Sequence, residues 1–485
     1  MKPQMNTDKH GYGTNRLLSY LCSSVFICGS ILLSFAPALS AAEKADLIVT
    51  GGTILTIDGS RRVIENGAIA VRGGKIVAVG TAAEIKAGYT ALPANTISAA
   101  GHIVMPGLIN THTHAAMSLF RGIADDLKLQ EWLEKHIFPA EAKNLSADFV
   151  RAGTKLAIAE MLLGGTTTYA DMYYFEDVVA ETTKAAGMRG VLGETIIDFP
   201  VADAKSPAES LAYSDKYLAR WKNDALITPA VAPHSPYTCS RDTLKSAHAL
   251  AVKYGAPMLI HLSETEVENT NMQAKEKMSP AALLDTLGVL GPRTLAAHCV
   301  WMSADDIARL KKAGTGVAHN PSSNMKLSSG AAPVPEMLAA GLAVGLGTDG
   351  VAGSNNDVNM FEEMDLAAKL SKLVTRDPRS LPAQTVIEMA TIHGARAMGM
   401  DREIGSLEVG KRADFITIRL DGAHAVPLYN AYSQVAYALK ASDVDYVVIE
   451  GRPVVRHKRL LTLDEAQIKL QARKYAERVK ASFRQ

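Results

Sequence analysis

Short apolar runs that end in histidine or aspartate recur along this chain, and they restrict its architecture more than any other feature. Ile103-Val104-Met105-Pro106 leads into Gly107-Leu108-Ile109-Asn110-Thr111-His112-Thr113-His114. Pro257-Met258-Leu259-Ile260 ends at His261, Thr294-Leu295-Ala296-Ala297 at His298, and the run from Leu342 to Thr348 at Asp349. In an extended strand, side chains two apart face the same side, so His112 and His114 converge on one point. An H-x-H pair alone says little, but neutral imidazoles on one face are a start for a zinc or iron site. Polar residues repeated at the C-terminal ends of strands occupy the place where a (β/α)8 barrel keeps its active site.

The rest of the central chain supports that architecture. Strand-like runs are expected to end near His114, Met172, Thr195, Pro233, His261, His298, His319 and Asp349. Helical runs alternate with them, including Ala152 to Leu163, Asp242 to Tyr254 and Asp305 to Ala313. Eight such units predict parallel strands closed into a (β/α)8 TIM barrel. Outside it, Leu47-Ile48-Val49 and Thr53 to Ile57 flank Gly51-Gly52, and Ala68 to Val71 and Lys75 to Val79 flank Gly73-Gly74; both read as hairpins. Similar text returns at Ala413 to Ile418 and Tyr446 to Gly451. The expected α/β chain therefore has a signal segment at 1–42, β-sandwich strands at 43–105 and 405–458, the barrel at 106–404 and a C-terminal helix at 459–485. The small β-sandwich domain is thus built from both termini.

The first residues differ in kind. Lys2, Lys9, His10 and Arg16 precede an apolar run that continues to Phe35, and the small-residue stretch Ala36 to Ala42 follows. These are the three parts of a secretory signal, with the mature chain expected to begin between Ala38 and Glu43 and to work in the periplasm or outside the cell. A retained membrane anchor is the alternative, since the run nearly reaches the ~20 residues of a span. After cleavage only Cys239 and Cys299 remain, which is no disulfide framework. With 51 basic and 50 acidic residues and no basic run, nothing suggests a nucleic-acid partner.

Taken in order, the motifs resemble a known family. Pro106 to His114, Pro233-His234-Ser235-Pro236-Tyr237, His261-Leu262-Ser263-Glu264, Ala297-His298-Cys299-Val300, His319-Asn320-Pro321-Ser322-Ser323-Asn324 and Gly347-Thr348-Asp349-Gly350 are similar to the amidohydrolase superfamily. The branch is that of methylthioadenosine/S-adenosylhomocysteine deaminases and triazine chlorohydrolases. The resemblance spans about residues 45 to 455 and implies a metal-dependent hydrolase acting on a small nitrogen heterocycle.

Expected metal ligands are His112, His114, His261 and Asp349, holding one divalent ion: zinc, with iron open. Binuclear relatives carry a bridging lysine on strand 4, and the strand from Ile227 to His234 has none. A divalent ion lowers the pKa of bound water from ~15.7 towards ~7. Asp349 is expected to take the water proton and His298 to orient the attacking oxygen. Glu264, by the resemblance, moves a proton to the ring nitrogen beside the attacked carbon. Its bland reading is a helix cap. The resemblance makes His234 a substrate contact and gives Glu141 the ribose hydroxyls, though a solvated surface carboxylate fits Glu141 equally. Trp132 is either a stacking platform for a flat ring or a packed aromatic. Glu194 stands where relatives acting on S-adenosylhomocysteine carry an arginine, so it is expected to repel that substrate's tail.

The leading expectation is a deaminase of an amino-substituted purine of the adenosine, methylthioadenosine or S-adenosylhomocysteine type. A triazine-type or cyclic-amide hydrolase is the alternative within the class, and a non-catalytic periplasmic binding protein the alternative outside it. Zinc content and ammonia release separate the three. The sequence leaves the substrate, the metal and a homo-oligomeric state open.

Overall fold

The structure is a computed structural model and describes residues 42–483. Eight parallel strands follow one another in chain order: β1 (Leu108–Thr113), β2 (Thr166–Tyr173), β3 (Arg189–Ile196), β4 (Ile227–Pro233), β5 (Met258–Leu262), β6 (Thr294–His298), β7 (Gly316–His319) and β8 (Val344–Leu346). The ring closes where β8 meets β1. Thr111 Oγ1 donates to the Leu346 carbonyl at 2.9 Å, the Asp349 N–H donates to the His112 carbonyl at 2.9 Å, and Thr113 bridges Asp349 in parallel. This is the (β/α)8 barrel expected, with strand ends within two or three residues of those predicted.

Local signals start and stop the surrounding helices. Ser303 and Asp306 form a capping box for Ala304–Ala313, and Gly314 ends that helix at φ 77°. Ser146 caps Ala147–Leu163 and Ser240 caps Arg241–Tyr254, each accepting an N–H three residues on. Asp464 caps the terminal helix Glu465–Ser482, whose Ile468, Tyr475 and Val479 are buried, with Tyr475 edge-on to Phe149 at 5.3 Å.

Strands from both ends of the chain form one continuous nine-stranded sheet that runs on to Leu460. Its order places Phe415–Arg419 beside His102–Pro106, so the two termini pair directly. Ile69, Ile76, Phe415 and Val448 belong to one buried cluster inside it. The hairpin at Gly73-Gly74 forms, whereas the one expected at Gly51-Gly52 does not. Leu47–Leu55 is a single strand with irregular register at the glycines, because Gly52 lies tight against Ala99 and Val104 and the chain bulges rather than turns. Arg189, at the start of β3, is buried and pairs with Asp414 at 3.0 Å and Glu450 at 2.5 Å, tying barrel to sheet. Such a pair adds little net stability but is costly to break on one side.

The expected signal segment lies outside the described residues, except for Ala42 at its edge. No helix among the described residues is long and apolar enough to cross a membrane.

Candidate metal centre and catalytic pocket

All five predicted polar residues meet at the C-terminal mouth of the barrel. His112 Nε2 lies 3.4 Å and His114 Nε2 3.2 Å from Asp349 Oδ1, and His261 Nε2 lies 3.4 Å from His114 Nε2. These separations match the ~3.3 Å edge of a tetrahedron drawn about an ion with ~2.0–2.1 Å bonds. His112, His261, His298 and Asp349 also offer donor atoms within 4.8 Å of one another, so distance alone admits His298 as a ligand. Two of the three short edges involve His114, however, while His298 Nε2 stands 4.0 Å from Asp349 and 3.9 Å from Glu264. His112 Nε2 is buried without a hydrogen-bond partner, and a coordinate bond is what such an atom lacks.

Three of these imidazoles are oriented from behind. His114 Nδ1 lies 2.6 Å from the Met172 carbonyl and His261 Nδ1 2.8 Å from the His234 carbonyl. A carbonyl accepts only, so Nδ1 carries the proton in both and Nε2 is left for the shared centre. His298 Nδ1 is 2.9 Å from Asn324 Oδ1, which fixes that ring in the same sense. Asp349 accepts from Ser323 Oγ at 2.6 Å and from the Gly350 N–H at 2.7 Å. Ser263 (φ 50°), His298 (φ 71°), Cys299 (φ 49°) and Asp349 (φ 63°) all adopt left-handed backbone at these strand ends. Non-glycine residues there store strain of the kind that collects at active sites. Gly347 is required for another reason: a Cβ there would meet His112 N at 2.8 Å.

Burial sets the electrostatics. It pushes His112 down to about 4 and His234 to about 3, leaving neutral rings. It opposes charge on Asp349 as well, but the surrounding imidazoles win and hold that carboxyl well below the usual carboxylate range. Burial also raises Glu264, against the pull of His298, and takes Glu141 up to about 7 despite the Tyr173 hydroxyl that donates to it at 2.6 Å.

The cavity over the cluster is lined by Trp132, Glu141, His234, Glu264, His298 and Asp349 among others, so every predicted substrate contact borders it. Glu141 is 7% exposed, which removes the solvated-surface reading. Trp132 is packed, donating from Nε1 to the Ala352 carbonyl at 2.8 Å, with part of the ring facing the cavity. His234 Nδ1 is 3.0 Å from Thr238 Oγ1. Glu264 is not a helix cap, since Thr265 caps the following helix. Cys299 is a buried filler.

Glu194 requires correction. It is fully buried and accepts the Glu176 N–H at 3.0 Å, while its neighbour Thr195 lines the cavity. Alternate residues of a strand face opposite sides, so Glu194 points into the helix layer and meets no substrate tail. Sequence reasoning missed Tyr173, Asn324 and Glu268. Asn324 ends a motif already singled out, and Glu268 lies one helical turn past Glu264; Tyr173 carried no signal.

The sequence pattern of the amidohydrolase family matches residues 103–454, and a short stretch, residues 67–90, matches the imidazolonepropionase-like composite domain of bacteria. A Syntrophobacter fumaroxidans protein named 5-methylthioadenosine/S-adenosylhomocysteine deaminase is 47% identical, over 90% of this chain and 99% of that protein. A Methanosarcina mazei 5'-deoxyadenosine deaminase is 42% identical over 90% and 99%. The crystal structure of an adenosine deaminase from Xanthomonas campestris with bound zinc superposes with a TM-score of 0.89 at 39% identity, covering 91% of this chain and 100% of that one.

Proposed function

The chain belongs to the amidohydrolase family and is a hydrolytic deaminase, and from that premise we propose that it removes the exocyclic amino group of an adenosine-type nucleoside as ammonia. His112, His114, His261 and Asp349 hold one divalent ion, zinc in our reading, because three imidazoles and a carboxylate at tetrahedral spacing suit it and a 39% identical deaminase binds it. When bound, that ion supplies Lewis acidity that makes attacking water acidic near neutral pH. The chain's own groups do the rest. Asp349 accepts the water proton. His298, fixed by Asn324, hydrogen-bonds the attacking oxygen. Glu264, whose carboxyl burial shifts upward, donates a proton to the adjacent ring nitrogen so that charge does not build up there. Glu141 takes the ribose hydroxyls, and His234 and Trp132 border the base.

The observation that carries this reading is Glu264 standing in the cavity 3.9 Å from His298 Nε2, within the same enclosure as the histidine–aspartate cluster. A passive binding protein has no use for that pairing. Ammonia release from a panel of adenosine derivatives and triazines tests the proposal. Chloride or alkylamine release from triazines, with no ammonia from nucleosides, sinks it.

Residues 1–42 we propose to be a secretory signal that delivers the enzyme to the periplasm or beyond, supported by their basic start, apolar middle and small-residue end. Amino-terminal sequencing from the native host should find a start between Ala38 and Glu43. An intact Met1 or Met5 on soluble cytosolic protein refutes export.

A further inference from the structure

The nucleosides in the relatives' names differ only at the 5' position, which carries methylthio, homocysteinyl or hydrogen. We infer that a second cavity beside the catalytic one binds this substituent and selects an uncharged, apolar one. The inference rests on the adenosine-type reading above and asks which member of that class the chain prefers.

Continuity and size identify the chamber. It has a volume of about 740 Å³, opens to solvent at Gln130, Glu134, Asn271 and Lys275, and shares Leu129, Leu133, Phe138 and Tyr237 with the catalytic cavity, so a ligand seated at the metal cluster can extend directly into it. Phe138 and Phe199, their rings edge-to-face at 5.3 Å, line it together with the buried Met272. Thioether and alkyl groups pack well against aromatic faces and methionine.

Charge decides what it excludes. Among the residues lining the catalytic cavity there is no lysine or arginine, while Glu141, Glu264 and Asp349 supply carboxyl groups. A smaller chamber of about 400 Å³ behind Phe138 and Glu141 has none either. The large chamber has one cation, Lys275, whose side chain is 81% exposed and lies 3.9 Å from Glu276, and it has two acids, Glu134 and Glu268. A homocysteinyl tail brings a carboxylate and an ammonium. No arginine fork receives that carboxylate, so it loses hydration without gaining a bidentate partner. A methylthio group incurs no such penalty and fills apolar space that hydrogen leaves unfilled. The expected order is 5'-methylthioadenosine first, then 5'-deoxyadenosine, with S-adenosylhomocysteine last.

The test compares kcat/KM by ammonia release for these three nucleosides and adenosine, using the mature protein loaded with zinc. Methylthioadenosine should exceed S-adenosylhomocysteine by about tenfold to a hundredfold, the range that one unpartnered buried charge produces. A ratio below about tenfold, in the presence of adenosine turnover, overturns the chamber's selectivity and leaves the deaminase reading intact. No ammonia from any of the four removes the nucleoside reading and the chamber's assignment with it. Phe199→Arg, which adds a cation to the wall, should narrow the methylthioadenosine to S-adenosylhomocysteine ratio at least threefold. An unchanged ratio in soluble, zinc-loaded variant means that the substituent lies elsewhere.

Discussion

The backbone N–H of Glu264 donates a 2.8 Å hydrogen bond to Oε2 of Glu268, and Oε1 of that same carboxylate takes the Ser263 N–H at 3.0 Å. One buried side chain therefore clamps the turn that carries the proposed proton donor. From the other side, the Ser263 carbonyl accepts from the Val300 and Trp301 N–H groups at 3.0 and 2.9 Å. Ser263 needs this support, because it holds a left-handed backbone at φ 50° without being glycine.

Glu268→Gln should lower kcat about tenfold while zinc content and the KM for adenosine change little. The amide keeps one oxygen but turns its NH₂ towards a backbone donor, losing one charge-assisted bond. Steady-state kinetics with metal analysis checks this. An unchanged kcat means that the clamp does not position Glu264.

Glu264→Gln should keep the metal and lose ~10²–10⁴-fold in kcat, the usual size of a general acid–base contribution. The glutamine is nearly isosteric and has no acidic proton to transfer. Turnover within a few-fold of wild type, with zinc retained, would assign the proton to another group and favour expulsion of a good leaving group.

His261→Ala should lose metal and activity together, because it removes one edge of the cluster and the proton-fixed ring that the His234 carbonyl orients. Inductively coupled plasma analysis of purified protein reads the first and ammonia release the second. Full zinc occupancy in the variant removes His261 from the ligand set.

Thermal stability should carry a signature of Glu363. Burial lifts this carboxyl to about 8, although Ser322 N–H and Asn355 Nδ2 donate to it at 3.1 and 3.0 Å. Its unfolded value is near 4.5, so between about pH 4.5 and 8 the folded chain holds a proton that the unfolded chain releases. The contribution is full below that window and is lost as pH rises through it. Glu363→Gln should therefore flatten the fall in Tm between pH 5 and 8, measured by scanning calorimetry. Parallel Tm curves for the two proteins contradict the assignment.

Much of the site was legible in the sequence because a barrel turns local order into a shared location. Each strand ends on the same rim, so His112, His114, His261, His298 and Asp349 could be brought together from their run-ending positions alone. Period-two spacing did the same for the H-x-H pair. Helix caps at Ser146, Ser240 and Ser303 were equally local, and the structure moved the helix starts to them.

Facing was a different matter. β3 is buried along its whole length, with helices on one side and the barrel interior on the other, so its residues show no polar–apolar alternation. Nothing in Leu192-Gly193-Glu194-Thr195 says which side is inner, and Glu194 was assigned to the wrong one. The turn at Gly51-Gly52 failed similarly, because contact with Ala99 and Val104, about fifty residues on, made it a bulge. The sequence by itself determined which chemical groups reach the rim, since that depends on where strands end. Only the tertiary structure decided which ring nitrogens point inward, which carboxyls are clamped and how apolar the neighbouring chamber is. Those follow from barrel register and long-range packing, which no local run encodes.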